Sequence, residues 1–300
     1  MTADSDDLFD SPTLELESPS RALADGVREQ ALAIVAEARK RVAAKNAFSP
    51  DSIHQTRVAC KKLRALWQLM RPVIELQIAQ DADARLGGLA GVLSASRDTQ
   101  VLAELLDDLR DSDELLYRGT FDRAATLLDA AESVDLDQES TRTALLGGLD
   151  ADRDEWQRLV LPDDEALFDH GLARTCRKAR RRAETAARTG DGDDYHRWRK
   201  WTKYLRYQLE CLGDPGIDLQ FHLGELKALG SALGRRHDLH NLRSQLERYS
   251  EGDPFGAVFR AIDLRDQALA LRVERVTEAI FGPTAAEMSA LLKHELQTVR

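Results

Sequence analysis

The stretch that decides the fold is residues 54–64, which reads HQTRVACKKLR. Between Asp51 and Glu75 the chain holds five Lys or Arg residues and no acid. The whole chain of 300 residues nevertheless carries a formal charge of −10. Like charges three or four residues apart destabilise a helix by about 0.2–0.5 kcal/mol per pair, and surface helices usually relieve this by mixing in acids. A helix without acids in an acidic protein therefore needs an explanation.

Helical geometry places the bases of this stretch on one face. Each residue turns about 100°, so Arg57, Lys61 and Arg64 lie within about 80° of His54. These four residues are called the first basic stripe. The opposite face is apolar and is predicted to point into a core; it carries Leu63, Leu66, Trp67 and Met70.

The pattern recurs later in the chain. Residues 54–64 align with residues 196–206, HRWRKWTKYLR, at a shift of 142, and five of the eleven positions are identical. A second match follows at a shift of 140: Leu86, Leu89, Leu93, Asp98 and Leu102 align with Leu226, Leu229, Leu233, Asp238 and Leu242. The same order and nearly the same offset predict two homologous halves, about 19–155 and 160–300, each with about four helices.

The second copy carries a matching face, called the second basic stripe. It consists of His196, Arg199, Lys203 and Arg206, with Tyr207 at its edge. The helix before it is also basic, since residues 170–206 hold twelve Lys or Arg and four acids. Three of these bases share one face and join the candidate site: Arg174, Arg177 and Arg181.

Two interpretations of the stripes are open. A single charge run is usually a solvated helix surface, and that interpretation needs no ligand. An unrelieved basic face that occurs twice at matched positions instead favours an anion from outside the chain. Arg forks onto two oxygens and Lys acts as a mobile point charge, a combination that suits phosphate. A row of such charges suits a polymer of negative charges.

Composition predicts an all-α cytoplasmic protein. Ala, Leu, Arg and Glu recur with helical spacing, and no alternating strand pattern is evident. Three widely spaced cysteines without a CxxC motif favour a reducing compartment. No apolar run approaches the roughly 18 residues of a membrane span. Residues 1–18 hold six acids and no base, which predicts a disordered acidic tail. Ser49 and Pro50 are a possible N-cap and first-turn proline for the first stripe helix.

At this point the chain resembles the CHAD family, the conserved histidine α-helical domain. The resemblance rests on HQTRVACKKLR followed by LxxLxxxLxxxRD, and on HRWRKWTKYLRY followed by LKALGSALGRRHD. It covers about residues 19–300. It implies two four-helix bundles related by a pseudo-two-fold axis around a basic central groove that binds inorganic polyphosphate. By the same resemblance both stripes would line the groove. Lys227 matches a basic family position, although its partner in the first half is Gly87.

The resemblance implies a non-catalytic binding or granule-targeting module with no cofactor, no metal and no membrane partner. A nucleic-acid binder is an alternative, because a Lys/Arg groove also holds a phosphodiester backbone. Trp198 and Trp201 fall on the core side, however, and leave no platform for stacking bases. A metal-dependent polyphosphate or triphosphate hydrolase is a second alternative. It would need a metal site, which stripes without clustered acids do not supply.

The histidines can be interpreted in several ways. His54 and His196 could contact a ligand or serve the start of a helix, and metal binding is disfavoured because no carboxylate shares their stripes. The sequence HDLH at residues 237–240 suggests a metal phosphohydrolase or a zinc site. The repeat argues against both, because His237 aligns with Arg97. Asp238, which aligns with Asp98, is instead predicted to pair with a basic residue and position a helix.

Overall fold

The computed structural model describes residues 21–93, 98–112, 118–129, 137–212, 220–248, 255–281 and 294. Regular structure in these ranges is helical, without strands, and the predicted all-α class is confirmed. The helices are α1 Arg21–Ala43, α2 Pro50–Met70, α3 Leu76–Val92, α4 Asp98–Ser112, α5 Arg118–Asp129, α6 Gln138–Arg158, α7 Asp164–Ala166, α8 Ala173–Thr189, α9 Gly192–Leu212, α10 Gln220–Glu247 and α11 Gly256–Phe281. A π-helical turn, Leu167–Leu172, joins α7 to α8. The predicted acidic tail, residues 1–18, lies outside the described residues.

The two stripe helices occupy equivalent stretches of the chain. Adding 142 to the bounds of α2 gives the bounds of α9. The predicted start of α2 is confirmed: Ser49 is the N-cap, its hydroxyl accepts a hydrogen bond from the Ser52 N–H, and Pro50 follows in the first turn. Before α9, Gly190 adopts a left-handed conformation with φ 67° and ends α8, a role that glycine fills without steric cost.

The main core lies among the helices that flank the stripes. In the first half α1, α2, α3 and α6 pack together, and in the second half α8, α9, α10 and α11 pack in chain order. The core-facing predictions for the first half are confirmed, because Leu63, Leu66, Trp67 and Met70 are all buried. In the second half Trp198 is buried as predicted, and Trp201 is half-buried against the core.

A second apolar cluster interlocks the two halves. Helices α4 and α5 of the first half form it together with the C-terminal part of α10 and the N-terminal part of α11. The members at its centre include Leu106, Phe121, Leu242 and Val258. The first half therefore contains two helices, α4 and α5, in addition to its bundle of four. These two helices pack on the second half. The predicted pseudo-two-fold axis stays a prediction.

Direct contact between α2 and α9 sets the distance between the stripes. Ala65 packs against Tyr204 and Tyr207 at the crossing of the two helices. The buried side-chain amide of Gln208 donates a hydrogen bond of 2.8 Å to the carbonyl oxygen of Ala65. Because both partners are buried, breaking this bond would leave an unsatisfied polar group. The two basic stripes are thus held side by side by contacts that do not use their charges.

A buried carboxylate organises the first-half bundle. Asp152 is 0% exposed and accepts hydrogen bonds from Trp67 Nε1 at 2.9 Å and from Arg85 Nη2 at 3.2 Å. The ring of Trp67 packs on that of Trp156 with centroids 4.2 Å apart. Burial raises the pKa of the Asp152 carboxyl, against the opposing effects of Trp67 and Arg85. This network joins α2, α3 and α6 behind the first basic stripe.

We expect Asp152→Ala to lower the free energy of unfolding by about 3 kcal/mol, because it leaves the Arg85 charge and the Trp67 N–H without their buried partner. Urea denaturation measures this change. Asp154→Ala is the matched control: its side chain is 38% exposed, and its ion pairs should contribute about 0–1 kcal/mol. Equal losses in the two variants would contradict the assignment.

Candidate anion-binding site

A cavity of about 640 Å³ lies where α2, α9 and α10 meet, with Val101 and Leu102 of α4 at its edge. We call it the basic cavity. Its lining contains five Lys or Arg residues: Arg57, Lys61, Arg199, Lys203 and Arg248. Among the described residues of the lining one acid, Asp238, opposes them, so with the histidines neutral these residues carry a formal charge of +4. The basic cavity is therefore a local positive site in a chain whose formal charge is −10.

Most of the predicted stripe residues line this cavity. From the first stripe come His54, Arg57 and Lys61, and from the second come His196, Arg199 and Lys203, together with Tyr207. The two helices carry these residues on faces opposite to their buried apolar rows. The tertiary structure thus brings the two stripes to a single site.

The last arginine of each stripe lies outside the cavity lining and has a partner within the chain. Arg64 donates hydrogen bonds of 2.9 and 3.2 Å to the two carboxylate oxygens of Asp83. Arg206 lies 3.5 Å from Glu210, and its guanidinium lies 4.6 Å from the ring centroid of Tyr207. The predicted ligand-binding role of these two arginines stays a prediction, and the structure gives each of them an ion-pairing role.

The predicted bases outside the stripes also lie away from the cavity. Arg174 donates to the carbonyl and side-chain oxygens of Gln68 at 3.3 Å and stacks 5.4 Å from the ring centroid of Trp201. A cation near the last carbonyls of α2 is favoured by the helix dipole, so Arg174 stabilises the end of that helix. Arg177 and Arg181 are exposed on α8, and Lys227 is exposed on α10.

The third wall of the cavity comes from α10 and was missed by the sequence analysis. Its polar residues are His237, Asp238, Asn241, Ser244 and Gln245, and Arg248 follows directly after the last residue of the helix. They recur at intervals of three and four, opposite the buried Leu239, Leu242 and Leu246. That helical spacing was the available signal, but the motif HDLH drew attention to metal chemistry instead. We call these six residues the α10 polar row.

Two histidines from different helices meet in the cavity. The rings of His196 and His237 have centroids 4.6 Å apart, and His237 Nε2 lies 3.2 Å from the side-chain nitrogen of Asn241. An amide nitrogen can only donate, so His237 accepts at Nε2 and carries its proton on Nδ1. Burial lowers the pKa of His237 to about 4, helped by the nearby His196 and Arg199. Burial and Arg199 also lower the pKa of His196.

The bases of the second stripe are electrostatically crowded. Burial, followed by the charges of Arg199, Lys61 and Arg206, lowers the pKa of Lys203 to about 7. Burial likewise lowers the pKa of Arg199, and the negative charge of Asp238 opposes the shift at both residues. Asp238 therefore favours the charged forms of both bases. Its predicted pairing with a basic residue to position a helix stays a prediction, and the side chain of Asp98 lies outside those described. An anion in the cavity would relieve the same crowding.

Several other chemistries find little support in the described parts of the chain. Within them no three His, Cys, Asp or Glu residues are grouped so that they could hold a metal ion. Burial raises the pKa of Cys60, Cys176 and Cys211 to about 12, so these thiols are poor nucleophiles near neutral pH. None of the helices in the described ranges combines the length and apolar character that a membrane span requires.

Comparison with known proteins identifies the fold. The family model described as CHAD domain matches residues 26–247. The structure of PptA from Streptomyces chartreusis superposes with a TM-score of 0.61 at 15% identity, covering 87% of this chain and 100% of that chain. The crystal structure of the CHAD domain from the plant Ricinus communis gives a TM-score of 0.49 at 19% identity, covering 90% and 91%. No curated protein matches the chain. At 15% identity, the likeness to PptA shows a shared fold.

The crowding of Lys203 predicts a pH-dependent cost to the folded protein. Its pKa is about 7 in the fold against an ordinary 10.5, so between these values the unfolded chain binds a proton that the folded protein does not. Stability from this residue therefore rises with pH over that window and is lost as pH falls through about 7. We expect Lys203→Met, which keeps the length and removes the charge, to be more stable than wild type at about pH 6. Its advantage should shrink towards about pH 9.

Urea denaturation of Lys203→Met and wild type at several pH values measures that difference. Lys178→Met on α8 is the control, because Lys178 lies outside the cavity lining. A stability difference for Lys203→Met that stays constant with pH would show that the ammonium is not destabilised in the fold.

Proposed function

The chain belongs to the CHAD domain family, and from that premise we propose that it binds inorganic polyphosphate in the basic cavity. The observation that carries the proposal is the meeting of both basic stripes at one site, with five Lys or Arg and one acid among the described residues of its lining. Two separate solvated helix faces would not require such convergence. The protein would act as a non-catalytic binding module, cytoplasmic and able to associate with polyphosphate granules.

The site suits phosphate oxygens in both charge and geometry. Arg57 and Arg199 offer planar donor forks, and Lys61 and Lys203 offer mobile point charges. The cavity is partly shielded from water, and charges interact more strongly in such surroundings than in bulk solvent. The α10 polar row adds uncharged donors from Asn241, Ser244 and Gln245. These would hydrogen-bond to phosphate oxygens without adding to the repulsion among the bases.

The size of the cavity favours an extended ligand over a single phosphate ion. Pockets for ligands of drug size have volumes of roughly 300–1,000 Å³, and this cavity has about 640 Å³. Its bases come from α2, from α9 and from the position directly after α10, so no one phosphate group could contact all of them. A short run of linked phosphates would neutralise the bases together, which supports a polymeric ligand.

Nucleic acid fits the same cavity less well. Binding of single strands commonly uses exposed aromatic rings on which bases stack. Among the lining residues the one ring of this kind is Tyr207, which is 5% exposed and packs against Ala65 and Tyr204. Trp198 is 2% exposed in the core. Polyphosphate needs charge without stacking, and that is what the described lining offers.

Hydrolysis is also less well supported than binding. Metal-assisted phosphoryl transfer uses a set of carboxylate or imidazole ligands that hold the ion and activate water. Among the described residues of its lining the cavity has one carboxylate, Asp238, and its negative charge already supports Arg199 and Lys203. We therefore propose retention of the polymer at this site.

The direct test is calorimetry at about 150 mM salt, near physiological ionic strength, with free phosphate measured throughout. We expect tight binding of long-chain polyphosphate, weak binding of single-stranded RNA of matched charge, and no phosphate release. Equal binding of RNA would make the cavity a general polyanion site. Phosphate release that depends on a divalent metal would replace the binding module with a hydrolase.

The site assignment is tested by Arg57→Glu combined with Arg199→Glu. We expect affinity to fall by at least about 100-fold, because two charge-assisted contacts become repulsive. The circular dichroism spectrum and thermal midpoint should show that the apo fold is retained. Arg158→Glu with Arg272→Glu is the matched control: it makes the same charge change at exposed positions outside the cavity lining. Tight binding by the cavity variant would refute the assignment.

Binding should strengthen as pH falls from about 8 to about 6. The cavity lowers the pKa of His196, and that of Lys203 to about 7, whereas a bound polyanion favours the protonated form of both. The complex therefore takes up protons, and the apparent affinity rises as pH falls through the window between the free and bound pKa values. Calorimetry in two buffers of different ionisation enthalpy counts the protons. Affinity that is constant over this range, with no proton uptake, would rule out the coupling.

A further inference from the structure

Two glycines on α10 lie directly beneath the bases of the second stripe. A Cβ atom built on Gly234 would come 2.8 Å from Arg199 Nη2 and 3.1 Å from its Nε. A Cβ on Gly230 would come 3.8 Å from Lys203 Cγ, an ordinary contact distance. The pairings run in opposite chain directions, so α9 and α10 are antiparallel here. Both glycines are buried, and α10 presents bare backbone to the Arg199 guanidinium and to the Lys203 stem.

Packing holds Arg199 in a different way from Arg64 and Arg206. Arg64 is fixed by two hydrogen bonds to Asp83, and Arg206 lies 3.5 Å from Glu210. The Nε of Arg199 is buried, and in the described part of the chain it has no hydrogen-bond partner. Its guanidinium lies in the space that a Gly234 side chain would occupy. Contact with the α10 backbone therefore defines where this charge sits.

We infer that Gly234 is a positioning residue for the ligand site, acting through Arg199. A methyl group at this position would overlap the guanidinium and push it away from α10 towards the cavity. The inference rests on the proposed function, because it assigns to Gly234 a share of the affinity for polyphosphate. The absence of a side chain on α10 would then set the direction from which Arg199 meets the phosphate oxygens.

A glycine in a helix contact can also serve close packing alone, and stability separates the two roles. Alanine has a higher helix propensity than glycine. If Gly234 serves close packing only, Gly234→Ala should lower the thermal midpoint and weaken binding in parallel. If Gly234 positions a flexible side chain, Arg199 can move aside. The midpoint should then hold or rise while the affinity falls.

The experiment is a graded series on one helix: Gly224→Ala, Gly230→Ala and Gly234→Ala. A Cβ on Gly224 would meet nothing within 4 Å, so this variant is the matched control and should bind long-chain polyphosphate like wild type. Gly230→Ala should weaken binding by less than about threefold, and Gly234→Ala by about tenfold or more, the loss expected when a charge-assisted hydrogen bond is misplaced. No variant changes a charge. Unchanged affinity in Gly234→Ala would overturn the inference.

A double-mutant cycle tests the route through Arg199. In the Arg199→Ala background, adding Gly234→Ala should have little further effect on affinity, because the displaced group is gone. An undiminished loss in that background would show that Gly234 acts through another contact.

A readout without polyphosphate keeps this inference separate from the proposed function. Phenylglyoxal modifies exposed arginines, and mass spectrometry gives its rate at Arg199. Displacement towards the cavity should make Arg199 react faster in Gly234→Ala than in wild type or in Gly224→Ala. If wild type does not bind polyphosphate, the proposed function fails, and a faster rate at Arg199 would still support displacement. An equal rate in all three proteins would overturn the positioning role.

Discussion

The site depends on the contact that holds α2 against α9. Ala65 packs on Tyr204 and Tyr207, and the Gln208 amide bonds to the Ala65 carbonyl at 2.8 Å. These groups are uncharged and buried, so the contact between the helices does not depend on the positive charges of the stripes. Once the two helices are fixed in this way, the distance between the two basic stripes is fixed as well. The repulsion between them is thus a consequence of uncharged packing where the two helices cross.

That repulsion explains the protonation behaviour of the cavity. Lys203 and His237 are both half-buried beside other bases, and their pKa values fall to about 7 and about 4. Asp238 offsets part of the crowding at Arg199 and Lys203, and it is the one acid among the described residues of the lining. The cavity thus favours the deprotonated forms of these groups, and a bound polyanion would favour the protonated forms. Under the proposed function, charge, proton uptake and ligand binding would be linked because they act on the same few groups.

Helix α10 contributes more than a third wall. Its C-terminal part belongs to the cluster formed with α4, α5 and α11, while its earlier residues pack on α9. Helix α10 therefore joins the second apolar cluster, which lies between the two halves, to the basic cavity. The polar row supplies uncharged donors, and Gly234 leaves room for the Arg199 guanidinium. At Gly234 the wall is bare backbone, which accommodates the Arg199 guanidinium that a side chain would displace.

The sequence by itself determined the helical class, the two stripes and their core-facing sides. Those features follow from local periodicity, which a single helix already displays: the buried Trp67 and the cavity-lining Lys61 are separated by their angle around α2. The repeat also indicated that the second stripe would match the first. Because each stripe lies on one face of its helix, most of the predicted stripe residues line the same cavity.

Only the tertiary structure decided which bases share the site and which have other partners. Arg64 has the same helical phase as Arg57, yet Asp83 on α3 binds it. Arg174 lies at the end of α2 because Gln68 offers it oxygens there. The α10 polar row and the contact of Gly234 with Arg199 depend on how α10 crosses α9, and periodicity within one helix does not specify that crossing. Tertiary packing sets these pairings, since each needs residues from two different helices to meet.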